Sequence, residues 1–159
     1  MFDRLRYLLL QVRNADDPMR QQELACFARA LGTTTEKLDV FDLLKQALDP
    51  NDFRSVDMFL LGGIGDYSAT GDGEWLRRAL DSLRAVHASG KPTFASCWGF
   101  QAMARGLGGR LINDPAHAEI GTHRLRLTEA GKHAPVFGQL GDSFLGQRGH
   151  EECVSERPP

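Results

Sequence analysis

The stretch that decides the fold runs from Lys91 to Gly109, KPTFASCWGFQAMARGLGG. Pro92 to Ala95 is short and apolar, which indicates a buried strand, and Gln101 to Leu107 is typical of a helix. Ser96 to Gly99 leave almost no room to turn between them. A strand that passes so directly into a helix forces its turn residue, Cys97, into a strained conformation and lifts that side chain clear of the sheet.

The surroundings of Cys97 favour a reactive thiol. Its small neighbours Ala95 and Gly99 let the strand and the helix approach closely. The helix N-terminus that follows favours the thiolate, which is the nucleophilic form of cysteine. The pattern is that of a nucleophile turn in which a thiol replaces the usual hydroxyl. The alternative interpretation is a buried cysteine that packs as a small hydrophobe at the end of a strand.

Length, charge and cysteine content narrow the class of protein. The 159 residues fit one domain with a sizeable core. A formal net charge of −2 gives no electrostatic reason to bind nucleic acid or an anionic membrane. The apolar run Tyr7 to Leu10 is far too short for a membrane span. The odd set Cys26, Cys97 and Cys153 has no disulfide-framework spacing, which predicts a reduced, cytoplasmic setting.

Apolar runs and amphipathic segments alternate along the first two thirds of the chain. The predicted strands are Tyr7 to Val12, Leu38 to Leu44, Val56 to Leu61 and Pro92 to Ala95; the predicted helices are Pro18 to Leu31, Gly73 to Ser89 and Gln101 to Leu107. This alternation predicts an α/β fold with a mostly parallel central sheet and helices on both faces. Cys26 falls inside the first helix and is interpreted as a packing residue.

Paired glycines follow the third predicted strand. Gly62 and Gly63 come directly after Leu61, where glycines let backbone N–H groups approach a ligand closely. A phosphate loop is excluded because no Gly-Lys-Ser/Thr follows. Ligands of parallel sheets bind beyond the carboxyl ends of the strands, so Gly62, Gly63 and Cys97 are expected to converge there.

The last third of the chain has a different pattern. Thr122 to Leu127 alternates polar and apolar residues, which predicts an antiparallel strand with one exposed face. Ser143 to Gln147 is predicted to be another strand, and it delivers Arg148 to Glu152 into a loop.

Four motifs resemble one enzyme family. Ala95 to Gln101, ASCWGFQ, resembles the Gly-x-Cys-x-Gly-x-Gln motif of class I glutamine amidotransferases. Leu61 to Gly65 is similar to the family's Gly-Gly-Pro oxyanion loop, and Glu119 to Gly121 to its Glu-x-Gly segment. Gly149 to Val154 is similar to its His-x-Asp-x-Val stretch. The resemblance is greatest to the stand-alone, GMP-synthase-like branch and implies a flavodoxin-like three-layer sandwich.

The resemblance implies the chemistry of each motif. Cys97 would attack the side-chain amide of glutamine, forming a γ-glutamyl thioester and releasing ammonia. The backbone N–H groups of Gly63 and Trp98 would hold the oxyanion. The residues implied to grip glutamine are Gly62, Gln101, His150, Glu151 and Glu152. No cofactor or metal is implied, and the ammonia would pass to a synthetase subunit or to a small-molecule acceptor.

The sequence also departs from the family pattern. Ala95 replaces a glycine and Ile64 replaces a proline. The family's general base and its orienting carboxylate lie in a downstream His-Pro-Glu motif, and none occurs before Pro159. We therefore expect residues 1–159 to be a single amidotransferase-like domain, truncated at its C-terminus and impaired because the thiol lacks a base. An uncovered sheet edge would then favour a homodimer or aggregation.

Two other functions stay open. One is a cysteine peptidase or deglycase-like protein of the same nucleophile-turn superfamily, which would need neither Gln101 nor the Glu119 to Gly121 segment. The other is a catalytically inactive domain that binds glutamine or a partner subunit.

Overall fold

A computed structural model describes residues 4–159. The strands are β1 (Tyr7–Gln11), β2 (Leu38–Asp42), β3 (Met58–Leu61), β4 (Thr93–Ala95), β5 (Arg110–Asn113), β6 (Glu119–Arg126), β7 (Ser143–His150) and β8 (Glu152–Glu156). The helices are α1 (Met19–Ala30), α2 (Glu74–Ala88), α3 (Trp98–Gly106) and α4 (Glu129–Lys132). Short 3₁₀ segments occupy Thr35–Lys37, Pro50–Ser55, Pro115–His117 and Phe137–Leu140.

The central sheet is parallel. Within residues 4–159, four strands join in the order β2-β1-β3-β4, each parallel to its neighbour. Leu9 of β1 lies beside Val40 on one side and Leu60 on the other. Every residue of β1 is buried, as expected for a strand covered on both faces. The predicted parallel sheet is therefore confirmed.

Helices cover both faces of this sheet. Leu8 and Leu10 point to the face that packs against α2 and α3, whereas Tyr7 and Leu9 point to the face that packs against α1. The α2 residues buried in this core are Leu76, Ala79, Leu80, Ser82, Leu83 and Val86. Burying one leucine-sized side chain contributes roughly 1.5–3 kcal/mol. The alternation confirms the three-layer, flavodoxin-like α/β sandwich.

Two local predictions are corrected. Helix α3 begins at Trp98 rather than Gln101, because Cys97 occupies the N-cap position and its carbonyl oxygen accepts the Gln101 N–H at 3.0 Å. Cys26 is exposed, so its interpretation as a packing residue is wrong. The apolar side of α1 passes through Phe27 and Ala28, and Cys26 lies outside it.

The described chain forms two compact units. One extends to Ile112 and also takes in Val154–Pro159, and the other comprises Asn113–Cys153. The second unit contains an antiparallel pair, β6 and β7, whose side chains alternate between half-buried and exposed. This confirms the predicted one-face-exposed strand. Strand β5 pairs with β8. The single-domain assignment of residues 1–159 stays a prediction.

The loop predicted for Arg148 to Glu152 is mostly strand. β7 continues through His150 and β8 begins at Glu152, so that Glu151 alone lies between them. The reason is the pairing of β7 with all of β6, which sets His150 opposite Glu119. The Glu119 carboxylate also accepts a hydrogen bond from Arg148. These contacts hold the last residues of β7 in the ladder.

Candidate active site

Cys97 occupies the tight turn between β4 and α3. Its backbone angles are φ 52° and ψ −120°, and among residues 4–159 no other non-glycine residue has a positive φ. A non-glycine residue held in this region stores strain of roughly 1–3 kcal/mol. The Cys97 side chain is exposed. The predicted strained turn that lifts the thiol clear of the sheet is therefore confirmed.

Backbone hydrogen bonds hold the Cys97 turn against β3. The Ser96 N–H donates to the Leu61 carbonyl oxygen at 3.0 Å. The Gly99 N–H donates to the carbonyl oxygens of Ser96 and Gly62, each at 3.0 Å. A Cβ on Gly99 would lie 2.4 Å from the Cβ of Leu61, so glycine alone fits there. The expected close approach of strand and helix is thus present at Gly99.

The paired glycines lie beside the thiol. β3 and β4 are neighbours, so the loop after Leu61 meets the Cys97 turn at one edge of the sheet. A Cβ built on Gly63 would lie 3.8 Å from the Cys97 Cβ and 3.9 Å from its Sγ. Ile64, which follows, packs against the main core. We call residues 62–65 the glycine loop.

Peptide geometry fixes the direction of the Gly63 N–H. Peptide bonds among residues 4–159 are all trans, so the Gly62 C=O and the Gly63 N–H lie in one plane and point in opposite directions. Because the Gly62 oxygen faces the Gly99 N–H, the Gly63 N–H is turned away from that hydrogen bond. The Trp98 N–H lies in the first turn of α3, where amides have no partner within the helix.

The side chains of Trp98 and Gln101 point into the protein. Trp98 is 2% exposed, and its ring stacks on Trp75 with 6.2 Å between centroids. Gln101 is 7% exposed and lies on the buried side of α3. Trp98 therefore offers its backbone rather than its indole ring to the surface around Cys97.

A buried polar cluster adjoins the glycine loop, and none of the sequence motifs predicts it. The Glu23 carboxylate accepts hydrogen bonds from Gln11 Nε2 at 3.0 Å and from Arg13 Nε at 3.2 Å. Arg13 also pairs with Asp17 at 3.0 Å. The only sequence feature that hints at the cluster is the presence of Gln11 and Arg13 at the end of an apolar strand, where charge is costly unless paired.

The charges in this cluster stabilise one another. Burial alone would lower the pKa of Arg13, but hydrogen bonds to Asp17 and Glu23 outweigh it and raise that pKa. The Met19 N–H, followed by Arg13, lowers the pKa of Asp17. Both ionised forms are therefore favoured in the folded protein.

The other predicted substrate residues belong to the second compact unit or its edge. His150 Nε2 lies 3.3 Å from Glu119 Oε2, the first residue of the Glu-x-Gly segment. Gly121 of that segment has φ 102°, which favours glycine. Glu151 is exposed in the turn between β7 and β8, and Glu152 is half-buried. The hairpin thus joins His150 and Glu119.

Features of other kinds of site are absent from residues 4–159. No cluster of three or more His, Cys, Asp or Glu side chains in this range has the arrangement of a metal site. None of the helices in the same range is both long enough and apolar enough to cross a bilayer.

The same residues can be compared with known proteins. Residues 23–159 match the family described as glutamine amidotransferase class-I, and this range includes Cys97, the glycine loop and the β6–β7 pair. The chain belongs to the class I glutamine amidotransferase family. The family resemblance of the four motifs is thereby confirmed.

Two curated relatives support this membership. The chain is 29% identical over 138 residues to the glutamine amidotransferase-like protein chyE of Penicillium rubens, covering 84% of this chain and 57% of the relative. It is 26% identical over 138 residues to gamma-glutamyl peptidase 3 of Arabidopsis thaliana, covering 83% of this chain and 54% of the relative. The chain thus spans little more than half the length of these relatives.

Solved structures of similar proteins share the fold. A glutamine amidotransferase from Thermotoga maritima superposes with a TM-score of 0.71 at 17% identity, covering 97% of this chain and 64% of that one. A glutamine amidotransferase from Methylobacillus flagellatus gives a TM-score of 0.65 at 20% identity, covering 99% of this chain and 59% of that one. At these identities the likeness supports the fold.

Proposed function

We propose that Cys97 is the nucleophile of a glutamine-hydrolysing site. Its thiolate attacks the side-chain carbonyl carbon of glutamine and forms a C–S bond in a tetrahedral oxyanion, and collapse of this intermediate breaks the C–N bond. The amide nitrogen takes up a proton and leaves as ammonia, and water then hydrolyses the γ-glutamyl thioester to glutamate. The observation that carries the proposal is the strained, exposed turn at Cys97, which lies directly at the N-terminus of α3.

The same geometry supports an oxyanion hole. The developing negative charge would be held by the N–H groups of Gly63 and Trp98. Gly63 lies against Cys97, and the Trp98 N–H belongs to the positive end of a helix. Two preorganised amide donors of this kind are commonly the largest electrostatic contribution to acyl transfer.

The substrate contacts are proposed from the family resemblance. Gly62, Gln101, His150, Glu151 and Glu152 would contact the glutamine. The ammonia would go to a synthetase subunit or to a small-molecule acceptor. The protein would act in the cytoplasm and would form a homodimer through uncovered apolar sheet surface.

Turnover by a polypeptide of these 159 residues is proposed to be slow. The sequence contains no His-Pro-Glu, the motif that supplies the family's base and its carboxylate. Removing one partner of a nucleophile commonly lowers kcat by orders of magnitude.

A second candidate is the hydrolysis of γ-glutamyl peptides. The relative named gamma-glutamyl peptidase 3 favours it. The chemistry at Cys97 would be the same thioester formation, but the leaving group would be the amino group of a second residue rather than ammonia. An inactive domain that only binds glutamine is the remaining alternative.

The test compares substrates and a nucleophile variant. Purified protein is mixed with glutamine or with a γ-glutamyl dipeptide, and the γ-glutamyl adduct on Cys97 and the released product are quantified. We expect the adduct with glutamine and its loss in Cys97→Ala. A faster adduct from the dipeptide would favour the peptidase. Binding without any adduct would favour the inactive domain.

A further inference from the structure

The Glu23 carboxylate occupies the space where Gly62 would carry a side chain. A Cβ built on Gly62 would lie 2.0 Å from Glu23 Oε1 and 2.8 Å from its carboxyl carbon, far inside contact distance. No residue with a side chain fits at position 62 while Glu23 is there. One carboxylate oxygen therefore packs directly against the glycine loop.

The other carboxylate oxygen is anchored in the protein. Glu23 Oε2 accepts from Gln11 Nε2 at 3.0 Å and from Arg13 Nε at 3.2 Å. The side chains of Glu23 and Arg13 are each only 9% exposed. Arg13 is in turn fixed by Asp17, which also accepts a hydrogen bond from the Met19 N–H at the start of α1. A buried, paired carboxylate of this kind has little freedom to move.

Gly62 is thus held from two sides. The Gly99 N–H binds its carbonyl oxygen at 3.0 Å, and the Glu23 carboxylate packs against its Cα. The next peptide N–H belongs to Gly63, whose position against Cys97 has been described. Glu23, Gly62 and Gly63 also line one cleft of about 290 Å³. A change at Glu23 would therefore reach the thiol site through the glycine loop.

We propose that Glu23 is a positioning residue that holds the Gly62–Gly63 peptide so that the Gly63 N–H stays directed for oxyanion binding. The inference rests on the proposed acyl transfer at Cys97. Gln11 and Arg13 hold Glu23, Glu23 holds Gly62, and Gly63 donates to the oxyanion. Glu23 itself touches no reacting atom.

Two reactions of the Cys97 thiol distinguish an effect on the oxyanion donor from an effect on the reactivity of the thiol itself. Acylation by p-nitrophenyl acetate passes through a tetrahedral oxyanion and releases p-nitrophenolate. Alkylation by iodoacetamide displaces iodide directly and forms no oxyanion. Peptide mass spectrometry gives both rates at Cys97, with the exposed Cys153 as the internal reference. Neither reagent requires a glutamine pocket.

The test measures these rates in wild type, Glu23→Ala and Glu23→Gln. We expect Glu23→Ala to lower the acylation rate of Cys97 about 10-fold or more while its alkylation rate stays within about twofold. Glu23→Gln keeps the shape of the side chain, and its acylation rate is expected to lie between those of wild type and Glu23→Ala. This variant tests the proposal if Glu23→Ala fails to fold. Gln22→Ala, on the exposed side of α1, is the matched control and should change neither rate.

Three results would overturn the inference. Unchanged acylation in both Glu23 variants would show that the glycine loop does not need the carboxylate. An equal fall in the acylation and alkylation rates would show that the substitutions change the thiol's own reactivity or the fold, and not the oxyanion donor. A wild-type Cys97 whose acylation-to-alkylation ratio is no higher than that of Cys153 would mean that no oxyanion hole works at Cys97. If wild-type protein does not hydrolyse glutamine while the Glu23 variants still show the selective fall in acylation, the proposed function is wrong but the positioning role of Glu23 stands.

Discussion

The amide N–H of Gly99 donates to the carbonyl oxygen of Gly62 at 3.0 Å, and this bond joins the first turn of α3 to the end of β3. It fixes the glycine loop to the Cys97 turn, because Gly99 lies two residues after the cysteine and Gly62 directly precedes Gly63. The trans peptide then turns the Gly63 N–H away from the bond. One backbone contact thus sets the relative position of the proposed nucleophile and its proposed oxyanion donor.

The close approach at Gly99 predicts a large cost for a methyl group. In Gly99→Ala, the new Cβ would lie 2.4 Å from the Cβ of Leu61, and β3 would have to separate from α3. We expect the free energy of unfolding to fall by about 1–3 kcal/mol, as for other overpacked cores. Urea denaturation followed by circular dichroism measures it.

Gly106 supplies the control for this prediction. It lies in the same helix, but the nearest atom to an added Cβ is 3.5 Å away. Gly106→Ala should therefore be neutral or gain up to about 1 kcal/mol from helix propensity. An equal fall in the free energy of unfolding of Gly99→Ala and Gly106→Ala would show that the contact distance of the added Cβ does not decide the cost.

The strained backbone of Cys97 predicts that function and stability conflict at this residue. Cys97→Gly should raise the free energy of unfolding by about 1 kcal/mol or more, because glycine adopts φ 52° without a Cβ clash. Cys97→Ala keeps the Cβ, so it should retain the strain and unfold as wild type does. Thermal unfolding of the two variants checks this, and equal stability would show that the turn stores no strain.

Asp17 predicts a pH dependence of stability. Its pKa in the folded protein is lowered below the ordinary value of 3.8 by the Met19 N–H and by Arg13. A lowered pKa stabilises the fold fully above 3.8, and this stabilisation is lost as the pH falls through the folded pKa. We expect unfolding free energy to drop more steeply below about pH 4 in wild type than in Asp17→Asn.

Its neighbour Asp16 is the control. Asp16 is exposed, and Asp16→Asn should keep the wild-type slope of stability against pH. A variant Asp17→Asn that follows the wild-type slope would show that the Arg13 and Met19 contacts do not act in solution.

The sequence predicts the sheet and the Cys97 turn because both depend on local patterns. Apolar runs such as Tyr7 to Val12 reveal the strands, and the short distance from Ala95 to Trp98 forces the turn whatever else the chain does. The contact between Glu23 and Gly62 could not be predicted in this way. It joins a helix to a distant loop, and only the packing of α1 on the sheet brings the carboxylate to that glycine.

The end of β7 could not be predicted from composition. Arg148, Gly149 and His150 are typical loop residues, yet they extend the strand because β6 offers a full-length partner. The ion pair of Glu119 with Arg148 and the contact of Glu119 with His150 stabilise this register, and they link residues far apart in the chain. Cross-strand pairing of this kind outweighs local preference.

The central claim is that Cys97 attacks the side-chain amide of glutamine. The most direct measurement is peptide mass spectrometry after the protein is mixed with glutamine and quenched in acid. Since Cys26, Cys97 and Cys153 are all exposed, exposure alone would not select one of them. We expect a γ-glutamyl adduct on Cys97, absent from Cys26 and Cys153, and at least an equal amount of released ammonia, because the thioester is hydrolysed after it forms. No adduct on Cys97, or the same ammonia release from Cys97→Ala, would contradict it.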